Sequence, residues 1–297
     1  MTLTAPRVAL QPSDLAAKRT WRSTKSAIFT VLMAASFVAV MVPLVFVIGN
    51  VISRGIGVMS LDFLTGDIQI SARREGGGVG PAIVGTLLMT GLATLMAVPL
   101  GLLGAIYLNE YSAGGRLGRL VRFMATVMTG VPSVVMGLFV FVVYTLAFGR
   151  NAFGGALALA ALMLPIIIRS CEEMLKLVPD NLREASMALG TRKSRTILTV
   201  VLPAALPGIV SGCLLAIARA AGETAPILFV VGAANETNWN AFDGENTALS
   251  AQIFNNANSP FLSAQDRAWG AALTLLVMAF AITLIARLIT ARFALKR

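Results

Sequence analysis

Six stretches of this chain run far enough without charge, or nearly so, to cross a lipid bilayer as helices. About 20 apolar residues bridge the roughly 30 Å hydrocarbon layer. Residues 28–51, 79–109, 123–149, 151–168 and 268–286 contain no charged side chain, and 209–234 is interrupted only by Arg219 and Glu223. The chain as a whole is 57% hydrophobic and 13% charged, whereas soluble domains carry about 25% charged residues. One water-soluble core cannot absorb that excess. The expected fold is all-α: a polytopic membrane protein with about six transmembrane helices, near 28–51, 79–108, 123–148, 151–174, 205–233 and 268–288.

The net charge of +10 reads as topology rather than as a nucleic-acid footprint. Of the 24 lysines and arginines, 17 fall in 1–27, 109–122, 170–208 and 287–297. Alternating spans put those four segments on one side, and the positive-inside bias makes that side cytoplasmic. Both termini are then inside, membrane lipid is the expected surface partner, and no nucleic acid is. The first run is long and lacks a small-residue cleavage site, so it reads as a retained anchor behind a basic tail at 1–27. The chain contains no histidine, which removes imidazole proton relays and the commonest transition-metal ligand. No metal site and no catalytic residue are expected. Cys171 and Cys213 lie in the inner half or within the membrane, where a structural disulfide is not expected.

The segment after span four does not look like a linker. Pro179 and Asp180 offer a helix start, apolar residues give it one greasy side, and Gly190 interrupts it. Two short helices joined near Gly190 are expected at the cytoplasmic surface, with Pro203 and Pro207 marking the start of span five. Between spans five and six, a short re-entrant or surface helix is expected around residues 249–254.

The spacing in that inner segment is specific. Glu184-Ala185-Ser186 is followed after three residues by Gly190, and after nine more by Val200-x-Leu202-Pro203. It resembles the E-A-A-x3-G-x9-I-x-L-P motif of ABC-importer permeases, with Ser186 in place of Ala and Val200 in place of Ile. In that family the loop forms coupling helices that dock on an ATPase subunit, so the resemblance makes Glu184, Ala185, Ser186, Gly190, Leu202 and Pro203 coupling residues. On amphipathicity alone, a helix lying on lipid would read the same way. No lysine follows a glycine anywhere in the chain, so no G-x-x-x-x-G-K-[ST] phosphate loop exists here. Any ATP-driven step must take its nucleotide site from a partner.

Arg219 and Glu223 stand four apart inside span five, on one helix face. Each costs about 2.5–3.5 kcal/mol at mid-membrane, so they must face protein or a watery path. A self-neutralising structural pair fits that spacing. So does an oxyanion site in which the planar donors of Arg219 bind the anion. Glu223 would then orient Arg219 or accept a proton from hydrogen phosphate, which fully ionised sulfate cannot offer. Gly208, Gly212, Ala216 and Ala220 form a small-residue seam, facing another subunit or this one. Arg169 ends span four, either snorkelling to the interface or turned inward by the bend at Pro165. Residue counting from opposite membrane faces sets Arg169 and Arg219 about 20 Å apart in depth, as successive stops rather than one clamp.

From about residue 79 onward the chain resembles the PstA type of phosphate ABC-transporter permeases. The most specific stretches are Gly130-Val131-Pro132-Ser133 through Phe139, Leu164 to Arg169, Ala218 to Phe229, and Gln252-Ile253-Phe254 with Ser259-Pro260. The resemblance implies the ABC-importer permease fold and inward transport of inorganic phosphate across the inner membrane. It also implies a second homologous permease (PstC type), a dimeric cytoplasmic ATPase (PstB type) that binds ATP and Mg, and an extracytoplasmic phosphate-binding protein (PstS type). No cofactor is implied for this chain itself. Arg169, Arg219 and Glu223 are implied to line the substrate path. A permease for sulfate or molybdate, or a secondary transporter titrating Glu223, would use the same residues.

Overall fold

The structure, a computed structural model, describes residues 21–112 and 114–294. Most of the expected basic tail, 1–20, lies outside the described residues. The first helix, α1, runs Trp21–Gly55 through Pro43. Up to Asn50 it forms a unit of its own, with Phe29, Phe37 and Phe46 exposed, as suits a helix solvated by lipid.

The second unit starts at Val51. Short α2 (Leu61–Thr65) is capped by Ser60, whose hydroxyl accepts the Phe63 amide hydrogen. Then come α3 (Gly80–Ile106), closed by a π-helical turn at Tyr107–Tyr111, and α4 (Arg116–Gly130). Next is α5 (Ser133–Val140), prolonged through a π turn at Phe141–Thr145 into α6 (Leu146–Phe148). Helix α7 (Ala152–Lys176) starts at Asn151, whose side chain accepts the Gly154 amide hydrogen. After it come α8 (Asp180–Ala188), α9 (Lys193–Thr196), a π turn at Ile197–Val201, α10 (Leu202–Ala221) and α11 (Ala225–Val230). The series ends with α12 (Leu249–Ala257) and α13 (Leu262–Ala294). Helix α12 is the short helix expected near 249–254, and its first four residues are buried.

Among the described residues, five helices are long and apolar enough to span a membrane, and a bent pair makes six if it is counted as one span. The chain is a multi-pass membrane protein. Two expected spans need correction. The third, placed at 123–148, is α4 and α5–α6 bent by 105°. Val131 and Pro132 are extended there (ψ 127° and 137°). A residue before proline avoids the helical region, and the proline ring removes one donor. The fifth, placed at 205–233, divides at Gly222–Thr224. At its other end Pro203 stands in the first turn of α10, but α10 continues an earlier helical run. The chain is helical from Lys193, and Pro203 falls two residues after the wide turn Ile197–Val201, where a missing N–H is tolerated.

Small residues build the core. Ala93, Ala97 and Ala105 of α3 bury in one cluster with Leu159, Met163 and Ile167 of α7 and Ile209 and Ala216 of α10. A Cβ at Gly101 would lie 2.6 Å from Ile167 Cγ2, so only glycine lets α3 and α7 approach this closely. The Gly208–Ala220 seam faces this chain's own α7. Gly208 abuts Met174, and a Cβ at Gly212 would overlap Ser170 Oγ.

Candidate functional site

Two broken spans meet at one cavity of about 190 Å³. The α4–α5 break supplies Thr129, Pro132 and Ser133, Pro165 and Met163 of α7 form a wall, and the end of α10 supplies Arg219 and Glu223. Beyond the cavity the second pieces of the two broken spans touch: a Cβ at Gly137 of α5 would lie 2.5 Å from Pro226 Cα of α11.

Helix α10 stops at Gly222, so Glu223 sits just past the helix end. Its amide still donates to the Ala220 carbonyl, and its own carbonyl accepts from Ser250 Oγ of α12 at 2.8 Å. This fixes Glu223 against the neighbouring segment. Arg219 lies in the last turn, where the partial negative charge of the helix end favours a cation. Its Nε stands 3.5 Å from Glu223 Oε1, with side-chain exposures of 68% for Arg219 and 16% for Glu223. A single long contact through Nε leaves the rest of the guanidinium fork free to bind an oxyanion. The pair is thus joined by one contact only and does not occupy the whole guanidinium.

Arg169 does not share that cavity. It is exposed and lines a second one, of about 200 Å³, with Arg122, Glu172 and Lys176. The contacts of Gly208 with Met174 and of Gly212 with Ser170 set α7 and α10 antiparallel and place Arg219 level with Met163. Arg169 is six residues further along α7, about 9 Å at 1.5 Å per residue. The expected offset of about 20 Å is too large. It treated each helix as flush with a layer about 30 Å thick, whereas the 25 residues of α7 extend for about 38 Å. The two cavities are neighbours along the α4–α7 groove: Thr129 and Ile166 line the first, Thr126 and Ile168 the second.

The second cavity is organised by residues the sequence did not single out. Glu172 Oε1 accepts from Arg122 Nε and Lys176 Nζ, both at 2.8 Å. Arg122 Nη2 also donates to the Leu108 carbonyl at 2.8 Å. The four-residue step from Glu172 to Lys176 was a readable signal. The Arg122 partnership, 50 residues apart, was not.

The spaced loop is folded as two short helices about Gly190, which has φ +81°. Ser186 explains its own departure from the motif. Its hydroxyl lies 2.9 Å from Thr191 Oγ1 and 3.0 Å from Thr196 Oγ1, tying α8, the turn and α9 together. Alanine could not do this. Glu184 and Ala185 are exposed, as is Leu189 at 89%. Leu202 and Pro203 are half-buried at the foot of α10. Cys171 and Cys213 are buried and free, and among the described residues no acidic or thiol cluster could hold a metal ion.

The family model for the inner membrane component of binding-protein-dependent transport systems matches residues 97–296. The chain belongs to that family. Among this permease's relatives is the phosphate transport system permease protein PstA 1 of Mycobacterium tuberculosis, 45% identical over 90% of this chain and 89% of that protein. The phosphate transport system permease protein PstA of Yersinia pestis is 38% identical over 93% of each. One solved structure, a chain of a bacterial ABC transporter involved in alginate import, superposes with a TM-score of 0.55 at 16% identity. It covers 91% of this permease and 99% of that chain. At that identity the likeness concerns the fold, which is that of ABC-transporter permeases.

Proposed function

We propose that this permease carries inorganic phosphate inward across the cytoplasmic membrane, with both termini cytoplasmic, as one subunit of an ABC importer. Its partners in this reading are a second permease of the PstC type, an ATPase dimer of the PstB type that binds ATP and Mg, and a phosphate-binding protein of the PstS type. The observation that carries it is Arg219, held by one long contact to Glu223 in the cavity where two spans break. Relatives named for phosphate transport support the choice of anion. Intramembrane charges mark substrate paths, and broken helices near mid-membrane are where transporters build their sites.

Each residue has a role in this reading. Arg219 binds phosphate oxygens through its free N–H groups. Glu223, shielded and acceptor-only when ionised, takes the O–H of hydrogen phosphate. Arg169 receives the anion in the neighbouring cavity about 9 Å further in. Glu184 to Pro203 dock on the ATPase.

The test is ATP-dependent uptake by the reconstituted importer, with phosphate and sulfate each presented by a matching binding protein. Arg219→Gln should abolish phosphate uptake. Glu223→Gln should depress it sharply while ATPase binding persists. Phosphate uptake near wild type in Glu223→Gln would return the pair to a structural role. Uptake without any ATPase would favour a secondary transporter instead.

A further inference from the structure

Helix α8 carries Glu184, Ala185 and Ser186, the start of the spaced motif, yet has no buried residue, so apolar packing does not hold it in place. One arginine does. Arg183, immediately before Glu184, has a side chain only 14% exposed, and Glu110, its partner at the end of α3, is 6% exposed. Arg183 Nε and Nη2 donate to Glu110 Oε1 at 3.3 and 3.0 Å. Nη2 also donates to the Leu175 carbonyl in the last turn of α7 at 2.9 Å. Nη1 donates to the Val178 carbonyl and, at 3.0 Å, to Asp180 Oδ1. Glu110 is gripped a second time: its carbonyl accepts from Lys193 Nζ of α9, which also stands 5.0 Å from the Tyr111 ring centre. Both short helices of the loop are thus tied to a single residue of the π turn that closes α3, and through Arg183 to the end of α7.

We propose that the Arg183–Glu110 pair is the joint through which movement of the loop reaches α3 and α7, with Arg183 a positioning residue for coupling. The inference rests on the reading that this loop docks on the ATPase. Arg183 makes five contacts from one planar fork, whereas a lysine has three donors and no fork. Helices α3 and α7 are each other's main packing partners, and α7 contributes walls to both cavities. A displacement of α8 therefore has a polar, shielded path to the site. Without the joint, α8 keeps its hydroxyl cluster at Ser186, its backbone bonds into the Gly190 turn and its packing on Ile197–Val201, but loses its side-chain link to Glu110 and to the Leu175 carbonyl.

The experiment uses the complete importer in proteoliposomes and reads phosphate moved per ATP hydrolysed, alongside co-purification of the ATPase. Arg183→Gln and the milder Glu110→Gln, which lies outside the loop, should both keep the ATPase bound and hydrolysing. The ratio should fall about tenfold, within the 5–150-fold range of typical site-to-site coupling. The double variant should be no worse than either single one, and Arg183→Lys should recover part of the ratio. An unchanged ratio in Arg183→Gln, or uptake and hydrolysis falling in step, overturns the proposal. Leu189→Asp, on the exposed side of the loop, separates the two levels. If it releases the ATPase while Arg183→Gln leaves the ratio intact, docking stands and the joint fails. If it leaves ATPase binding and uptake untouched, the docking reading fails first and the joint with it.

Discussion

Gly190 offers a clean perturbation because its conformation and its surroundings can be separated. It holds φ at +81°, and a Cβ placed on it would meet nothing within 4 Å. Substitution therefore meets no clash within this chain, and its cost is set by the backbone. An L-residue in the left-handed region costs about 1–2 kcal/mol, and a β-branched one is a stronger outlier there. That amounts to a factor of about 5–30 in the population of the closed turn. Gly190→Val should raise the hydrogen-exchange rate of the Gly190 and Thr191 amides, which donate to the Met187 and Ser186 carbonyls, by about that factor. It should also lower phosphate uptake per ATP hydrolysed. Asparagine tolerates the left-handed region, so Gly190→Asn should stay near wild type in both measurements. If asparagine proves as damaging as valine, the backbone explanation is wrong, and the glycine is needed for bare contact with the ATPase.

Other expectations follow from packing and charge. Gly212→Leu should overpack the α7–α10 seam against Ser170 and cost about 1–3 kcal/mol, seen as a lowered melting temperature in detergent; an unchanged melting temperature would mean that the seam opens freely. Glu172→Gln keeps an acceptor but removes a shielded charge from two partly exposed cations, so its stability loss should be only about 1 kcal/mol, measured by the same melt. Cysteines placed at 169 and 219, in a background with Cys171→Ser and Cys213→Ser, should resist bridging by a short bifunctional reagent. An axial offset of about 9 Å and helix axes about 8–10 Å apart keep them near 12 Å; efficient bridging would merge the two cavities into one.

The parts of the fold visible in the sequence are those governed by composition and short spacing. Apolar length located the spans, and the step from Glu184 to Pro203 located the loop with its turn at Gly190. Hydropathy is blind to backbone direction, so the run 123–149 reads as one span although Val131 and Pro132 turn it through 105°. The same blindness hid the interruption at Gly222, even though Gly222 and Pro226 stand inside the stretch that was recognised. Arg219 and Glu223 were legible because four-residue spacing survives at the end of a helix. Arg122 with Glu172 and Arg183 with Glu110 were not, since partners 50 and 73 residues apart meet only through tertiary packing. The depth of Arg169 depended on helix register, which Gly208 and Gly212 fix against α7 and which residue counting does not contain.

The meeting of Gly137 with Pro226 bears on how the cavity can open. At that point the backbones of α5 and α11 touch with no long side chain between them to flex or change rotamer. A side-chain cushion absorbs small displacements; bare backbone against a proline ring passes them on. The pieces beyond the two breaks, at Val131–Pro132 and at Gly222–Thr224, are therefore held directly against each other. Even one methyl group added at Gly137 must therefore part the two pieces.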